Sequence, residues 1–518
     1  MKVDVAASAG EAHPVIPSTG PKRPIARWPL GAWVVGGAAI AASVCLRFLA
    51  GSDLWFDEAL TVNIAELPLD RLRDALVRDG APPLYYVLLH GWITVFGSSD
   101  TAVRALSGIL GVTAIALAYL VGRQLGRNDS ERRWLAIGGA IVIATSPYAI
   151  RYSTETRMYA LSMVLVLLGI LIGCHAWEAA TPIRIAAIAL VTAGLLYTQY
   201  WSFFLVGVVG AGLLVVMVAG PPAARGSAAR ILAGIGVGGV LCVPWIPTLW
   251  SQLEHTGTPW DAPAGPVRST GAALVAFAGS EGLEAWISLT VLGTLVVLAV
   301  VAVRATAGRV LAAIALTTLV LGVLVSAIAD VGFQDRYAAV VFPFAALVIA
   351  FGLLAFGDFR IRAGVLAIVA VLGLVGGTRV VREERTASGA IAAAMRPAPG
   401  PLDLVAYCPD QLGPSTARKL SSQPHQVMYP NLAGPRFVDW TDYEARNARA
   451  SPRRFAARVH ARARSGSVWL VWSPGYRTLG TACENVVNEL ERVRPGGEVV
   501  TVADGPNGEV VELRRFEP

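Results

Sequence analysis

The sequence predicts a polytopic α-helical membrane protein with a small α/β domain at its C-terminal end. Three observations carry that expectation. Apolar residues make up 54% of the 518 residues and charged residues only 15%, at a mean hydropathy of +0.56, whereas a soluble domain carries roughly a quarter charged residues. Long apolar runs alternate with short Arg-bearing clusters between Leu30 and Arg379, and many reach the ~20 residues a spanning helix needs. The last 140 or so residues, by contrast, read as a soluble domain.

Residues 1–28, rich in Pro, Ala, Gly and Ser with Lys2, Lys22, Arg23 and Arg27, are expected to be a disordered cytoplasmic tail. The first apolar run starts too late for a cleaved signal peptide, and no small-residue cleavage site follows it. The formal charge of +7 is explained in its loop portion by membrane topology, so no nucleic-acid partner is invoked.

Residues 29–380 are read as the transmembrane domain. Spans are expected at 30–50, 102–122, 134–150, 157–178, 184–200, 202–219, 231–250, 283–303, 310–330, 337–357 and 363–379, giving about 11–13 transmembrane helices in all. The stretch 83–97 is shorter: as a helix it covers only about 22 Å of a roughly 30 Å hydrocarbon core. If it does not cross and the N-terminus is cytoplasmic, the inside loops or their edges hold Arg123, Arg127, Arg132, Arg133, Arg184, Arg225, Arg230, Arg304, Arg309, Arg360 and Arg362, as the positive-inside rule requires. We therefore read 83–97 as juxtamembrane or re-entrant. Eleven spans then place the C-terminal domain outside, together with the long first loop, 51–101.

The C-terminal domain, 385–518, shows strand-like runs at Leu402–Tyr407, Ser467–Trp472, Glu498–Val502 and Glu509–Leu513, with helical stretches near 451–465 and 481–494. Cys45, Cys174 and Cys242 fall in spans and serve packing. Cys408 and Cys483 both fall in the outer domain, where oxidation is permitted, and are a disulfide candidate. No metal-ligand spacing such as CxxC occurs.

Three clusters on the outer face can carry chemistry. Asp57 and Glu58 follow Trp55 and Phe56 directly after the first span. Adjacent helical residues point about 100° apart, so one carboxylate at most faces a given site. Such a group can act as a general base or ligate a divalent cation, and a solvated helix end is the simpler alternative. Gly80-Ala-Pro-Pro-Leu-Tyr-Tyr86 starts a helix at the membrane surface, with Tyr85, Tyr86, His90 and Trp92 as belt aromatics or a substrate wall. A lone histidine such as His90 more often packs than reacts. Arg151, Tyr152, Glu155 and Arg157 sit at the outer ends of two spans, against the charge rule. Arginine there is usually paired or functional, either as an Arg–Glu tie between helix ends or as a clamp for a phosphate. Arg336 and Tyr337 repeat the pattern, and Tyr197, Gln199, Tyr200 and Trp201 add polar aromatics at a further outer turn.

Together these segments resemble the membrane glycosyltransferases with the C-type fold, in particular the family-39 and RgtA/B/C/D-like group related to protein O-mannosyltransferases and aminoarabinose transferases. Trp55-Phe-Asp-Glu-Ala59 looks like the acidic motif after the first span. Ala81-Pro-Pro-Leu-Tyr-Tyr86 resembles the His-Pro-Pro-Leu motif, and Phe96-Gly97 with Arg104-Ala-Leu-Ser107 resembles the Phe-Gly…Arg-Leu-Pro-Ser stretch. Ser146-Pro147, Tyr152 through Ala160, and Arg336-Tyr337 with Pro343 follow in family order, so the resemblance covers about residues 30–380. The motif histidine is Ala81 here, and the C-terminal domain has no assignable motif.

The resemblance implies inverting transfer from a polyprenyl-phosphate-linked sugar, mannose or arabinose, to a hydroxyl of a lipid, glycan or protein acceptor outside a bacterial cytoplasmic membrane. It assigns Asp57 as the base, Glu58 to orient the acceptor or a metal, and Glu155 as a further acidic residue. Arg151, Arg157 and Arg336 would hold the donor phosphate, with Tyr85, Tyr86, His90, Tyr152 and Tyr337 binding substrate. Dependence on a divalent cation (Mg or Mn) is left open. A secondary transporter and a non-catalytic envelope scaffold are the rival readings. The first predicts midplane charges and two-fold symmetry, which the sequence lacks, and the second leaves the outer charge clusters unexplained.

Overall fold

The computed structural model describes residues 30–257, 264–279, 282–303, 305–420, 424–505 and 510–518. The tail expected over 1–28, and Arg304, lie outside these. The chain is a helical membrane domain followed by a small mixed sheet.

After α1 (Leu30–Leu46), the long first loop folds into α2 (Phe56–Ala65), α3 (Leu69–Asp79) and α4 (Leu84–Phe96). The bundle continues with α5 (Asp100–Leu125), α6 (Asp129–Thr145), α7 (Pro147–Ser153), α8 (Tyr159–Glu178), α9 (Pro182–Leu196), α10 (Ser202–Ala219) and α11 (Pro222–Cys242). It ends with α12 (Ile246–His255), α13 (Pro266–Ala278), α14 (Leu283–Val301), α15 (Thr306–Ile328), α16 (Phe342–Gly352) and α17 (Phe359–Arg382). Among the described residues seven helices are long and apolar enough to cross a membrane, and α6 with α7 is an eighth if that bent pair is one span. α1, α9 and α16 occupy three further expected spans as shorter apolar helices, and α4 is also short.

Local chemistry explains the departures. The expected span 134–150 bends by 60° between α6 and α7, because Pro147 has no N–H for the carbonyl of Ile143. Arg47 fills the break from α1: its guanidinium donates to the carbonyls of Ile143 and Ala144 at 2.9 Å each. The expected loop 251–282 contains α13. Close approach of α5 and α6 requires Gly122, where a Cβ would sit 2.2 Å from the carbonyl oxygen of Leu135. Ser99 and Asn128 cap those two helices with side-chain acceptors.

In the C-terminal domain α18 (Ser388–Ala394) precedes a five-stranded sheet. Its strands are β1 (Leu404–Cys408), β2 (His425–Met428), β3 (Val468–Trp472), β4 (Glu498–Asp504) and β5 (Val510–Phe516). The order is β2-β1-β3-β5-β4, with β2, β1 and β3 parallel and β5 antiparallel to both neighbours. The short β2 was not among the expected strands. Between strands lie α19 (Leu412–Lys419), α20 (Tyr443–Ala448), α21 (Pro452–Ala463) and α22 (Ala482–Val493). The period-two pattern of β1 splits its side chains: Leu404 and Ala406 pack with α21 and α22, while Val405 and Tyr407 pack with Ile391 of α18. Cys408 and Cys483 form a disulfide that joins the end of β1 to α22.

Ion pairs and hydrogen bonds fasten this domain to the long first loop. Lys419 reaches Asp53 and Asp100 at 2.5 and 2.6 Å, and Arg436 reaches Glu66 at 2.7 Å. Asn63 donates to the Arg436 carbonyl at 2.8 Å.

Candidate active site

A cavity of about 760 Å³ lies between the membrane domain, the first loop and the C-terminal domain. Its polar wall is assembled from three separate segments. Helix α2 begins at Phe56 behind an extended Trp55, which places Asp57 in the first turn facing the cavity. The turn between α7 and α8 supplies Arg157, and a 3-10 turn, Asp335–Val340, supplies Arg336 and Tyr337. The carboxylate of Asp335 accepts from the Arg336 backbone N–H at 2.8 Å and fixes the start of that turn.

Arg336 approaches Asp57 at 3.3 Å, and its guanidinium lies 5.6 Å from the Trp55 ring and 5.9 Å from the Tyr337 ring. Arg157 donates to the Thr61 hydroxyl at 2.7 Å and to the Tyr86 hydroxyl at 3.4 Å, while its buried Nε has no hydrogen-bond partner among the described residues. Tyr86 in turn donates to Asp79 at 2.7 Å. Burial raises the Asp79 carboxyl above its usual range, although Arg157 and the Tyr86 hydroxyl pull the other way. Two guanidinium groups, Arg157 and Arg336, thus share the cavity wall with the Asp57 and Asp79 carboxyl groups and offer paired N–H donors to an anion.

The other sequence candidates fall elsewhere. Glu58 is turned about 100° from Asp57 and is fully buried. Its oxygens accept from Arg104 at 2.8 and 2.5 Å and from the Thr156 backbone N–H at 2.8 Å. It therefore ties α2 to α5 and does not join Asp57 around an ion or acceptor. Arg151 and Glu155 pair at 2.7 Å, and Arg151 also reaches Glu383 at 2.8 Å. These residues form the Arg–Glu tie between segment ends and do not line the cavity.

Tyr85 is buried against Ser107 at 2.9 Å, and His90 Nδ1 lies 2.8 Å from the Ala65 carbonyl oxygen. Tyr152 donates to Asp335 at 3.3 Å. These three pack behind the site, whereas Tyr86 touches it through Arg157 and Tyr337 lines it directly. Among the described residues no group of three or more His, Cys, Asp or Glu side chains is placed to hold a metal ion.

Sequence reasoning missed Asp79, Trp440 and Tyr476 on the cavity wall. For Asp79 a signal existed: it directly precedes the Gly80-Ala-Pro-Pro turn that opens α4. Trp440 and Tyr476 come from loops of the C-terminal domain and carry no local signal. On the membrane side Gln199, Tyr200 and Trp201 belong to the wall. Trp201 stacks on Tyr337 with ring centres 5.8 Å apart, and Tyr200 is held by Gln252 and the Trp245 indole.

No protein-family model matches the chain, and no curated protein does. Solved structures match over nearly its whole length. ArnT from Cupriavidus metallidurans in the apo state is 13% identical, with a TM-score of 0.55 over 93% of this chain and 98% of that one. The same enzyme bound to undecaprenyl phosphate gives 0.53 over 94% and 98%. The Archaeoglobus fulgidus oligosaccharyltransferase, in complex with Zn and sulfate, is 13% identical and gives 0.51 over 92% of this chain and 72% of its own. The chain has the fold of the C-type membrane glycosyltransferases. The mycobacterial arabinofuranosyltransferase AftD shares this C-type fold at 15% identity and a TM-score of 0.50, over 93% of this chain and 40% of that larger one. At these identities the likeness concerns the C-type architecture, and the chemistry has to be argued from the cavity.

Proposed function

We propose that the chain transfers a sugar, mannose or arabinose, from a polyprenyl-phosphate-linked donor to a hydroxyl acceptor of the cell envelope. The observation that carries this reading is the meeting of Asp57, Arg157 and Arg336 in one cavity. A carboxylate that can take a proton stands beside two cations that can hold a phosphate, as this chemistry requires. The ArnT structure with undecaprenyl phosphate, a lipid phosphate held in the same fold, supports it.

In this reading Asp57 accepts the proton of the acceptor hydroxyl while the oxygen attacks the anomeric carbon from the face opposite the phosphate. The bond from that carbon to the phosphate oxygen breaks, and its electron pair leaves with the polyprenyl phosphate. Arg157 and Arg336 stabilise the charge growing on that leaving group, and the configuration inverts. Arg336, now 3.3 Å from Asp57, exchanges part of that pairing for the donor phosphate and releases the carboxylate for its role as base. The cavity faces the outside of a bacterial cytoplasmic membrane, where the donor needs no nucleotide.

The test is transfer of radiolabelled sugar from polyprenyl-phosphate mannose and polyprenyl-phosphate arabinose by protein in liposomes. Asp57→Asn is expected to lose at least ~100-fold in kcat while inserting and unfolding as the parent does. Parent-like turnover in that variant overturns the assignment.

A further inference from the structure

We propose that a second cavity, at the seam between the first loop and the C-terminal domain, binds a small monovalent inorganic anion such as chloride, and that this ion ties the two together beside Trp55. The proposal does not depend on the transferase reading. The cavity has a volume of about 80 Å³ and shares Trp55 and Phe56 with the larger cavity that contains Asp57. Its other walls come from the segment that leaves the membrane domain, with Arg385 and Ser388, and from the start of α19, with Gln411 and Ser415.

Five side chains on this wall each carry a buried polar atom without a hydrogen-bond partner among the described residues: Trp55 Nε1, Arg385 Nε, Ser388 Oγ, Gln411 Oε1 and Ser415 Oγ. Arg385, Ser388, Gln411 and Ser415 are each less than a tenth exposed. Buried polar atoms are nearly always paired, and one left unpaired costs free energy. Five around one cavity therefore point to a ligand that pairs them. The N–H groups of Trp55 and Arg385 can only donate, and both serine hydroxyls can donate. Gln411 Oε1 is an acceptor, its amide nitrogen being spent on the Tyr443 hydroxyl at 2.7 Å. Among the described residues no carboxylate lines the cavity.

Charge separates an ion from water alone. The Arg385 guanidinium donates to the Thr154 carbonyl and hydroxyl at 3.0 and 2.8 Å and to the Val380 carbonyl at 3.4 Å, all neutral oxygens. The buried carboxylates nearby are committed elsewhere, Glu58 to Arg104 and Glu155 to Arg151. Burial and the neighbouring Arg151 cation push the Arg385 guanidinium down to about 10, against the weaker pull of Glu155 and Glu58. Buried charges are ordinarily paired, and an anion among these donors offsets the cost of burying Arg385. Each enclosed water needs about 10–15 Å³, so the cavity takes one small ion and a few waters, one of which serves Gln411. Trp55 links the ion to the larger cavity, since the Arg336 guanidinium lies 5.6 Å from its ring.

The experiment follows thermal unfolding of the full chain in nanodiscs at constant ionic strength and pH, with sodium gluconate replaced stepwise by sodium chloride. Chloride is expected to raise Tm saturably, by about 2 °C at about ten times its Kd. Ser415→Asp sets a carboxylate where the ion binds, and its Tm should no longer respond to chloride. Crystals of the parent grown in sodium bromide, measured at the bromine absorption edge, should show bromide within hydrogen-bond reach of Arg385 Nε and Trp55 Nε1.

Waters alone in the cavity, with no bromide signal, overturn the proposal. Bromide there without any effect of chloride on Tm marks binding at crystal concentration only, and overturns it too. A chloride effect that persists in full in Ser415→Asp does the same, because the ion would then sit elsewhere, such as between Arg157 and Arg336. Should Ser415→Asp not fold, Ser415→Ala replaces it: loss of one donor to the ion should raise the chloride Kd about 10-fold, and an unchanged Kd overturns the site. These readouts need neither donor nor acceptor, so the anion site can stand when sugar transfer fails, and the reverse.

Discussion

Two neighbouring carboxylates, Asp57 and Glu58, have opposite fates, and helix geometry decides between them. Asp57 faces the cavity, while Glu58 is enclosed by Arg104 and the Thr156 backbone. Removing one partner of a buried pair leaves the other charge uncompensated and costs roughly 3–5 kcal/mol. Glu58→Gln should therefore lower the thermal unfolding temperature strongly, and adding Arg104→Gln should recover part of the loss. Glu58→Gln protein that melts like the parent would contradict that structural role. The family resemblance gave the role of base to Asp57, and helix geometry alone allowed only one of the two carboxylates to face the site. Which one did so depended on where α5 brings Arg104, 46 positions away.

At the scale of elements, the long first loop, in which 83–97 is the expected juxtamembrane or re-entrant helix, folds into α2, α3 and α4, on which the C-terminal domain rests. Within that domain Asp410, buried just after β1, accepts from the Tyr443 hydroxyl, which packs beside Trp440. Burial pushes the Asp410 carboxyl up to about 7, opposed by the hydrogen bond from Tyr443. The folded state then binds this proton more tightly than the unfolded chain does. Its stabilising contribution is complete below the ordinary carboxylate range, near pH 4, and falls as pH rises toward 7. Domain stability should drop by roughly 3 kcal/mol between pH 4 and pH 8 from this group. Calorimetric melting at both pH values, with Asp410→Asn as the comparison, checks it: the variant should lose that part of the slope. An identical slope in Asp410→Asn would show that other groups carry the dependence.

For the whole molecule, the expected orientation joins the positive-inside pattern to the cavity. α4 is 13 residues long, which as a helix spans only about 20 Å, short of the roughly 30 Å core. If α4 does not cross, the cavity and the C-terminal domain lie outside, and the turn between α5 and α6 lies inside. A membrane-impermeant maleimide should then label Glu498→Cys in intact cells and Asp129→Cys only after lysis, with Cys45, Cys174 and Cys242 replaced and the disulfide retained. The reverse pattern would invert the topology and place the site in the cytoplasm.

The amino-acid sequence by itself determined the membrane embedding, the positions of the helical segments and the mixed C-terminal unit. Hydropathy and period are local properties, so each run reports its own surroundings. It also marked Arg157 and Arg336 as arginines on the outer face, against the charge rule, and Asp57 as one of an acidic pair directly after the first span. Only the tertiary structure decided which charges share a space. It sent Arg151, Glu155 and Glu58 into ion pairs, because a buried charge takes the nearest partner that folding supplies, and that partner can be distant in sequence. It also brought Asp79, Trp440 and Tyr476 to the cavity wall. An aromatic residue in a loop looks the same in sequence whether it faces water or substrate, and the docking of one domain on another is what separates the two.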